Sequence, residues 1–175
     1  MSALRIRPAT VADAPAIAAL YAPWVRDTAI SFETEPPSAD EMAARIAKVQ
    51  ARWAWLVRED AGHVRAYAYA GAFAERASYR WSVTVSAYVD ATQHRAGHGR
   101  ALYTALLGLL TLQGFHSAFA GITQPNAASV GLHRAMGFEP VGVYEDAGHK
   151  LGRWHDVGWY RRGLAPRGPS RETPA

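Results

Sequence analysis

The chain has 175 residues, of which 49% are hydrophobic and 19% charged, and its net charge is +4. This composition is typical of one globular domain with a substantial core and excludes a disordered chain. The sequence has no cysteine, which excludes disulfides, thiolate catalysis and thiolate metal sites.

The first half of the chain predicts one strand, two helices and then three strands. Alternation over Leu4–Arg7 stops at Pro8 and predicts the first strand. Capping boxes at Thr10–Asp13 and Ser38–Glu41 begin the two helices, and Pro23 bends or ends the first of them. The next three strands are predicted at 53–59, 64–73 and 79–89.

The second half alternates between helices and strands. A polar, glycine-bearing loop over 90–99 precedes a helix over 100–113, and Gly114 ends that helix. The later elements are a buried strand at 117–122, a helix from Pro125-Asn126 to Gly137, and strands at 141–145 and 154–161. We predict one mixed α/β domain over 1–164 and a flexible tail over 165–175, where Pro, Gly, Arg and Ser dominate.

Several function classes have little support. The seven histidines form no HExxH pattern, so we predict no metal site. The basic residues form no dense run and no nucleic-acid module, so we predict no nucleic-acid partner. Neither an apolar segment in the first eight residues nor a run of 18 apolar residues is present, and we expect a cytoplasmic protein without membrane contact.

The loop Gln93–Arg100 lies between a predicted strand and a predicted helix. Glycines at 97 and 99 allow successive backbone N–H groups to face one concavity, and the helix N-terminus adds partial positive charge. Arg95 and Arg100 could reach the outer oxygens of a phosphate. This arrangement favours phosphate binding about as strongly as it favours an ordinary tight turn. No Gly-Lys-Ser/Thr follows and the third glycine is absent, so P-loop and Rossmann sites are disfavoured.

With this loop in place, the chain resembles the GNAT superfamily of acetyltransferases. Residues His94–Gly99 fill the family's Gln/Arg-x-x-Gly-x-Gly/Ala motif, with His94 in the Gln/Arg position. The resemblance is closest to the phosphinothricin and methionine-sulfoximine N-acetyltransferases, over residues 4–162. Its most specific parts are the run Gly152–Gly158 and the set Asn126, His133 and Gly137-Phe138.

The resemblance implies a GNAT fold, in which about seven mostly antiparallel strands form a splayed mixed sheet flanked by four helices. It also implies acetyl-CoA as cosubstrate, a small amine as acceptor, and a homodimer. The cofactor contacts carried over are Tyr88, Val89, Arg95, Ala96, Gly97, His98, Gly99, Arg100, Asn126 and Ser129. The acceptor pocket carried over is Phe32, Arg76, Tyr79 and Tyr103. The backbone N–H of Val89 is the implied oxyanion donor.

Two positions depart from the subfamily. Thr84 stands where the subfamily has its glutamate base, and threonine can only orient a water. Ala74 stands where it has a lysine for the acceptor's acidic group, which leaves Arg76. We predict His133 as the replacement base, because its ordinary pKa near 6.5 suits proton transfer at neutral pH. Glu33 and Glu75 are weaker candidates for a relay.

Three functions therefore remain open at this stage. The first is N-acetylation of an amino-acid analogue such as phosphinothricin, methionine sulfoximine or the sulfone. The second is acetylation of a different amine, such as an aminoglycoside-like compound or a protein N-terminus. The third is CoA binding with little catalysis, for which Thr84 is the support.

Overall fold

The computed structural model describes residues 4–93 and 96–165. Within these residues, seven strands form one sheet in the order β1-β2-β3-β4-β5-β7-β6. All neighbouring pairs are antiparallel except β4 and β5, which are parallel. The strands are β1 (Arg5–Pro8), β2 (Trp55–Asp60), β3 (His63–Ala72), β4 (Ser82–Val89), β5 (Ser117–Thr123), β6 (Glu139–Lys150) and β7 (Arg153–Gly163).

In the described part of the chain four α-helices flank the sheet, and they are α1 (Ala14–Arg26), α2 (Ala39–Gln50), α3 (His98–Leu112) and α4 (Ala127–Ala135). Helices α1 and α2 share one buried cluster with Trp55, Val57 and Tyr67. Helix α3 belongs to the other cluster, with Val83 and Val85 of β4 and Ala118 and Ala120 of β5. Side chains of a strand alternate between faces, so the two clusters lie on opposite sides of the sheet. The predicted α/β GNAT fold, with seven strands and four helices, is confirmed.

The sheet splays between β4 and β5. These strands pair only from Ser82 with Ser117 to Thr84 with Phe119. Beyond those residues both strands continue, to Val89 and Thr123 respectively, without further pairing. The separation leaves a cleft in the middle of the molecule, with Thr84 at its apex.

The structure corrects three predicted elements. The strand predicted from 79 begins at Ser82, because Ala77–Tyr79 forms a short 3-10 turn. The strand predicted at 141–145 spans Glu139–Lys150 and forms a long hairpin with β7, with a register shift between Tyr144 and Gly148. Helix α1 continues through Pro23 to Arg26, so Pro23 does not end it.

Residues 4–93 and 96–165 contain neither a membrane-spanning helix nor a metal-binding cluster. None of the helices there is long and apolar enough to cross a membrane. The same residues contain no cluster of three or more His, Asp or Glu side chains that could hold a metal ion. Most of the predicted flexible tail, from residue 166 onward, lies outside the described residues.

Candidate active site

A central cavity of about 70 Å³ fills the cleft where β4 and β5 diverge. One wall is Val85–Tyr88 of β4 and the opposite wall is Ala120–Thr123 of β5. Other side chains complete it, namely Ile30, Tyr103, Asn126, Ser129, Leu132 and His133. A cavity bounded by two unpaired strand segments exposes backbone N–H and C=O groups to whatever binds there.

A longer groove of about 930 Å³ continues from this cavity to the N-terminus of α3. The two spaces share Ile30, Ala87, Tyr88, Asn126, Ser129 and Leu132. The far end of the groove is lined by Val89, Gln93 and Ala96–Arg100. The first N–H groups of a helix have no partner within the helix, so this end of the groove is suited to an anion.

The loop before α3 has the backbone conformation that a phosphate cradle needs. Gly97 has a φ of 73°, in the left-handed region, where a side chain would be strained. Arg58 of β2 donates a hydrogen bond to the Gly97 carbonyl at 3.0 Å and so fixes the loop to the sheet. Gly99 approaches α4 so closely that a Cβ there would lie 3.0 Å from Leu132 Cδ2.

The predicted cofactor residues are therefore assembled around one connected space, as far as the structure describes them. Tyr88, Val89, Ala96–Arg100, Asn126 and Ser129 all line the groove. Arg95 and the motif residue His94 lie outside the described residues. His98 is buried, and within the described part of the chain its Nδ1 has no hydrogen-bond partner. Burial and the neighbouring Arg58 lower the pKa of His98.

Asn126 links the cavity to the start of α4. Its Oδ1 accepts a hydrogen bond from the Ser129 backbone N–H at 3.1 Å, which makes it the N-cap of the helix. This cap also fixes Ser129, whose carbonyl holds the ring of His133 one turn later.

Tyr103 and His133 form a buried hydrogen-bonded pair beside the central cavity. Tyr103 Oη lies 3.0 Å from His133 Nε2, and His133 Nδ1 lies 2.8 Å from the Ser129 carbonyl oxygen. A carbonyl can only accept, so Nδ1 carries the ring proton and Nε2 accepts from the tyrosine hydroxyl. Burial lowers the pKa of His133 and raises the pKa of Tyr103, which keeps both groups neutral near pH 7. The pair can pass a proton from the cavity through the hydroxyl to Nε2.

Thr84 lies at the apex of the cleft and lines neither the central cavity nor the groove. Its Oγ1 donates to the Ala72 carbonyl at a distance of 3.4 Å, which is a long hydrogen bond. Ser86, two residues along the same face of β4, does line the central cavity and shares a hydrogen bond with Tyr69. Sequence reasoning missed Ser86, because serine in a strand has no distinctive pattern.

The four predicted acceptor residues are not brought together. Only Tyr103 lines the central cavity. Arg76 and Tyr79 line a separate cavity of about 340 Å³, with Arg52, Glu75 and Arg80 around it. Phe32 lines none of these spaces and packs on Gly148 and His155 instead.

An outer cavity of about 270 Å³ shares Ile30 and Thr123 with the central cavity. It lies between the loop that joins α1 to α2 and the end of the β6–β7 hairpin, where Arg153 and His155 line it. Ile30, Thr123 and Arg153 were not predicted as site residues. Arg153 belongs to the Gly152–Gly158 run that carries the resemblance, but the sequence assigned that run no role in the site. Only the packing of distant segments brings the three residues together.

Glu33 is unsuited to the relay role that the sequence left open. Arg45 binds both of its carboxylate oxygens, at 2.7 and 2.9 Å, and Tyr21 donates to it at 2.9 Å. The Arg45 guanidinium lowers the pKa of this carboxyl group. Glu33 is therefore a charged structural group, with its oxygens engaged in the link between α1 and α2.

Comparison with known proteins agrees with this geometry. Residues 6–159 match the Acetyltransferase (GNAT) domain family. The chain belongs to the GNAT acetyltransferase family. The members of this family use acetyl-CoA as their cosubstrate, and the chain is an acyltransferase enzyme.

Two curated relatives are similar to this GNAT enzyme over nearly its whole length. A phosphinothricin N-acetyltransferase of Streptomyces viridochromogenes is 39% identical, over 96% of this chain and 92% of its own. An L-methionine sulfoximine/L-methionine sulfone acetyltransferase of Pseudomonas paraeruginosa is also 39% identical, over 92% and 95%.

A solved structure resembles this GNAT enzyme closely. It is a phosphinothricin acetyltransferase from Sinorhizobium meliloti in complex with acetyl-CoA, with a TM-score of 0.92 and 35% identity. The match covers 97% of this chain and 94% of that one.

Proposed function

We propose that this acetyltransferase acetylates the amino group of a small amino-acid-like acceptor of the phosphinothricin, methionine sulfoximine or methionine sulfone type. The observation that carries the proposal is the cavity between β4 and β5. It joins the groove at α3 and contains the Tyr103–His133 pair. The names of the relatives support this type of acceptor. Acetylation neutralises an amine, which suits a role in detoxification or resistance.

The groove fits a long cosubstrate with a polyanionic end. We propose that the backbone N–H groups of Ala96–Arg100 bind the pyrophosphate and that Arg95 and Arg100 reach its outer oxygens. Tyr88, Val89, Asn126 and Ser129 border the path of the pantetheine arm. When bound, acetyl-CoA supplies the acetyl group as a thioester. We propose that the Val89 N–H donates a hydrogen bond to the thioester oxygen.

The proton of the attacking amine needs a route, and the Tyr103–His133 pair supplies one. As the neutral amine bonds to the acetyl carbon, the Tyr103 oxygen takes the amine proton and the hydroxyl proton moves to His133 Nε2, and the bond between the acetyl carbon and the sulfur then breaks. The reverse transfer protonates the sulfur that leaves. The hydrogen bond from Nδ1 to the Ser129 carbonyl fixes the imidazole ring, so Nε2 stays directed at the Tyr103 hydroxyl during both transfers. Thr84 is kept only as a residue that could orient a water.

Two arginines are candidates for binding the acceptor's carboxylate. Arg76 is the residue that the resemblance implies, but it lines the separate cavity with Arg80. Arg153 lines the outer cavity, which shares Ile30 and Thr123 with the central cavity. Changing the arginine that binds the carboxylate to Ala should raise the KM for the acceptor at least 10-fold. The other change should leave that KM within twofold and serves as its matched control.

The test of the proposed function is thiol release from acetyl-CoA with paired acceptors. Methionine sulfone and phosphinothricin are each compared with the corresponding amine that lacks the carboxylate. We expect turnover only with the carboxylate-bearing member of each pair. Turnover with both members would instead support a different amine as acceptor. CoA binding by calorimetry without turnover on any amine would support the CoA-binding protein.

We also propose a homodimer that forms through the β6–β7 hairpin. Large apolar side chains on this hairpin are exposed by 57–62%, namely Val141, Val143, Tyr144, Leu151 and Trp154. Strand β6 is a long edge strand of the sheet. A long exposed edge with apolar side chains is typical of a surface that another chain covers.

Sedimentation tests this assembly. Val143→Glu should convert a dimer of the wild-type protein to a monomer. Leu112→Glu, on the 78% exposed side chain at the end of α3, should leave the dimer intact. A monomeric wild-type protein would remove the proposal.

A further inference from the structure

Lys150, the last residue of β6, is a buried lysine with all of its donors in use. It is 7% exposed. Its Nζ donates to the backbone carbonyls of Val25, Ser31 and Glu33, each at 2.6 Å. An ammonium group has three protons, so the three carbonyls account for the whole donor capacity.

This arrangement differs from that of an ordinary surface lysine. Lysine is almost never fully buried, because removing the charge from water is costly unless hydrogen bonds replace the hydration. Within the described part of the chain, no ion pair involves Lys150. Its acceptors are carbonyls only, and Val25 lies in the last turn of α1, where a cation complements the helix dipole. The chain has one other lysine, the exposed Lys48 of α2.

Two of the three carbonyls belong to the loop over residues 27–38, which joins α1 to α2. Three further side-chain contacts tie this loop to α1 and α2. Thr28 donates to the Trp24 carbonyl, the Ser31 hydroxyl bonds to Tyr21, and Glu33 binds Arg45. Lys150 instead comes from β6, which pairs with β7 on the far side of the cleft. Its hydrogen bonds therefore connect the two halves of the molecule that the cleft separates.

A second contact reinforces this connection. The ring of Phe32 packs so closely on Gly148 that no Cβ would fit there. The buried His155 of β7 bonds through Nε2 to the Lys150 carbonyl at 3.0 Å. The backbone near Lys150 is thus held by one contact from the loop to β6 and by one hydrogen bond from β7.

The loop carries Ile30, which lines the central cavity, the groove and the outer cavity. Ile30 is therefore the wall at which these three spaces meet. Among residues 4–93 and 96–165, the one side-chain group that binds the Ile30 backbone is Thr28 Oγ1, which accepts from its N–H within the same loop. The position of Ile30 relative to β5 and β7 depends on what ties the loop to the hairpin.

We propose that Lys150 is a positioning residue for acetyl transfer, which holds Ile30 against the cleft through the carbonyls of Ser31 and Glu33 and so sets where the acceptor lies. This inference rests on the proposed function. The role is not a contact with the reacting atoms. It acts mainly on the acceptor side, because Ile30 borders the groove where the groove joins the central cavity, whereas the phosphate cradle at 96–100 is held separately by Arg58.

The test compares Lys150→Met with Lys48→Met, the matched loss of an exposed lysine. We expect Lys150→Met to lower kcat/KM for the acceptor at least 10-fold, while the Kd for CoA stays within twofold. Hydrogen exchange of the amides at 27–33 should become faster. Ile30→Ala should give the same kinetic pattern, and the double variant should be no worse than the worse single one. Lys48→Met should match the wild-type protein in every measurement.

Lys150→Arg retains a cation and several donors, so it should recover part of the lost kcat/KM. If Lys150→Met does not fold, Lys150→Arg and Ile30→Ala carry the test. Turnover that all three variants leave unchanged would overturn the positioning role. A fall in CoA affinity that parallels the fall in kcat/KM would also overturn it, because the damage would then be general. Absence of wild-type turnover on every amine would instead overturn the proposed function and the positioning role with it.

Discussion

Changing Tyr103 to Phe removes one oxygen atom from the central cavity and leaves the aromatic ring in place. The ring is almost fully buried and packs against His133 and Phe138, so its apolar contacts persist. What disappears is the 3.0 Å hydrogen bond to His133 Nε2. If the pair passes the amine proton, this change should lower kcat without displacing either substrate.

Tyr103→Phe should have a small effect on stability and a large effect on kcat. Leaving the buried Nε2 without its partner costs about 1–3 kcal/mol. A domain of this kind has roughly 5–15 kcal/mol of stability, so the variant should stay folded. Loss of general acid–base transfer should lower kcat by about 10²-fold, which corresponds to roughly 2.7 kcal/mol of barrier.

The assay is steady-state thiol release with acetyl-CoA and methionine sulfone. Tyr103→Phe and His133→Gln should lower kcat by similar factors, and the double variant should be no slower than the slower single variant, because both act on one proton path. Tyr160→Phe, a change to another buried tyrosine of the same core cluster, is the matched control. A Tyr103→Phe variant whose kcat stays within twofold of the wild type would refute the relay.

The relay also predicts a pH dependence. The neutral form of His133 accepts the proton, and burial lowers its pKa below the ordinary 6.5. The wild-type kcat should therefore stay level as the pH falls to about 6.5 and decline only at lower pH. This acid limb should be missing from the residual activity of His133→Gln. A limb that persists in that variant would assign the titration to another group.

Three further predictions concern other parts of the fold. Gly97→Ala should weaken CoA binding several-fold and destabilise the protein by about 1–2 kcal/mol, measured by calorimetry and urea unfolding, because φ is 73° there. Gly148→Ala should lower stability by about 1–3 kcal/mol through the clash with Phe32, whereas Gly142→Ala, which has open space around it, is the control. Arg7, the ion-pair partner of Asp13, lowers the pKa of that carboxyl group below 3.8. The pair therefore stabilises the fold above pH 3.8, and this stabilisation is lost as the pH falls through the lowered pKa. Asp13→Asn should accordingly flatten the acid limb of a plot of Tm against pH; equal slopes in both proteins would contradict this.

Local sequence patterns were sufficient to predict most of the elements. The Ser38–Glu41 capping box is present at the start of α2, with the Ser38 hydroxyl accepting from the Glu41 N–H at 3.2 Å. The β6 strand was predicted far too short, because Glu145–His149 has no apolar alternation. The strand continues because it pairs with β7 across the turn at Leu151 and Gly152, and ladder hydrogen bonds between strands need no apolar alternation.

The sequence by itself determined the family, the glycine loop before α3, and the departure at Thr84 from the subfamily's pattern. These features are local, because a turn glycine and a capping residue act within a few positions of the chain. Only the tertiary structure decided that Tyr103 and His133, 30 residues apart, share a hydrogen bond. It also decided that Arg76 lines a different cavity, and that a lysine 119 residues away from Ser31 holds the loop of Ile30. Such contacts depend on how whole helices and strands pack, and local patterns along the chain do not reveal which distant residues meet.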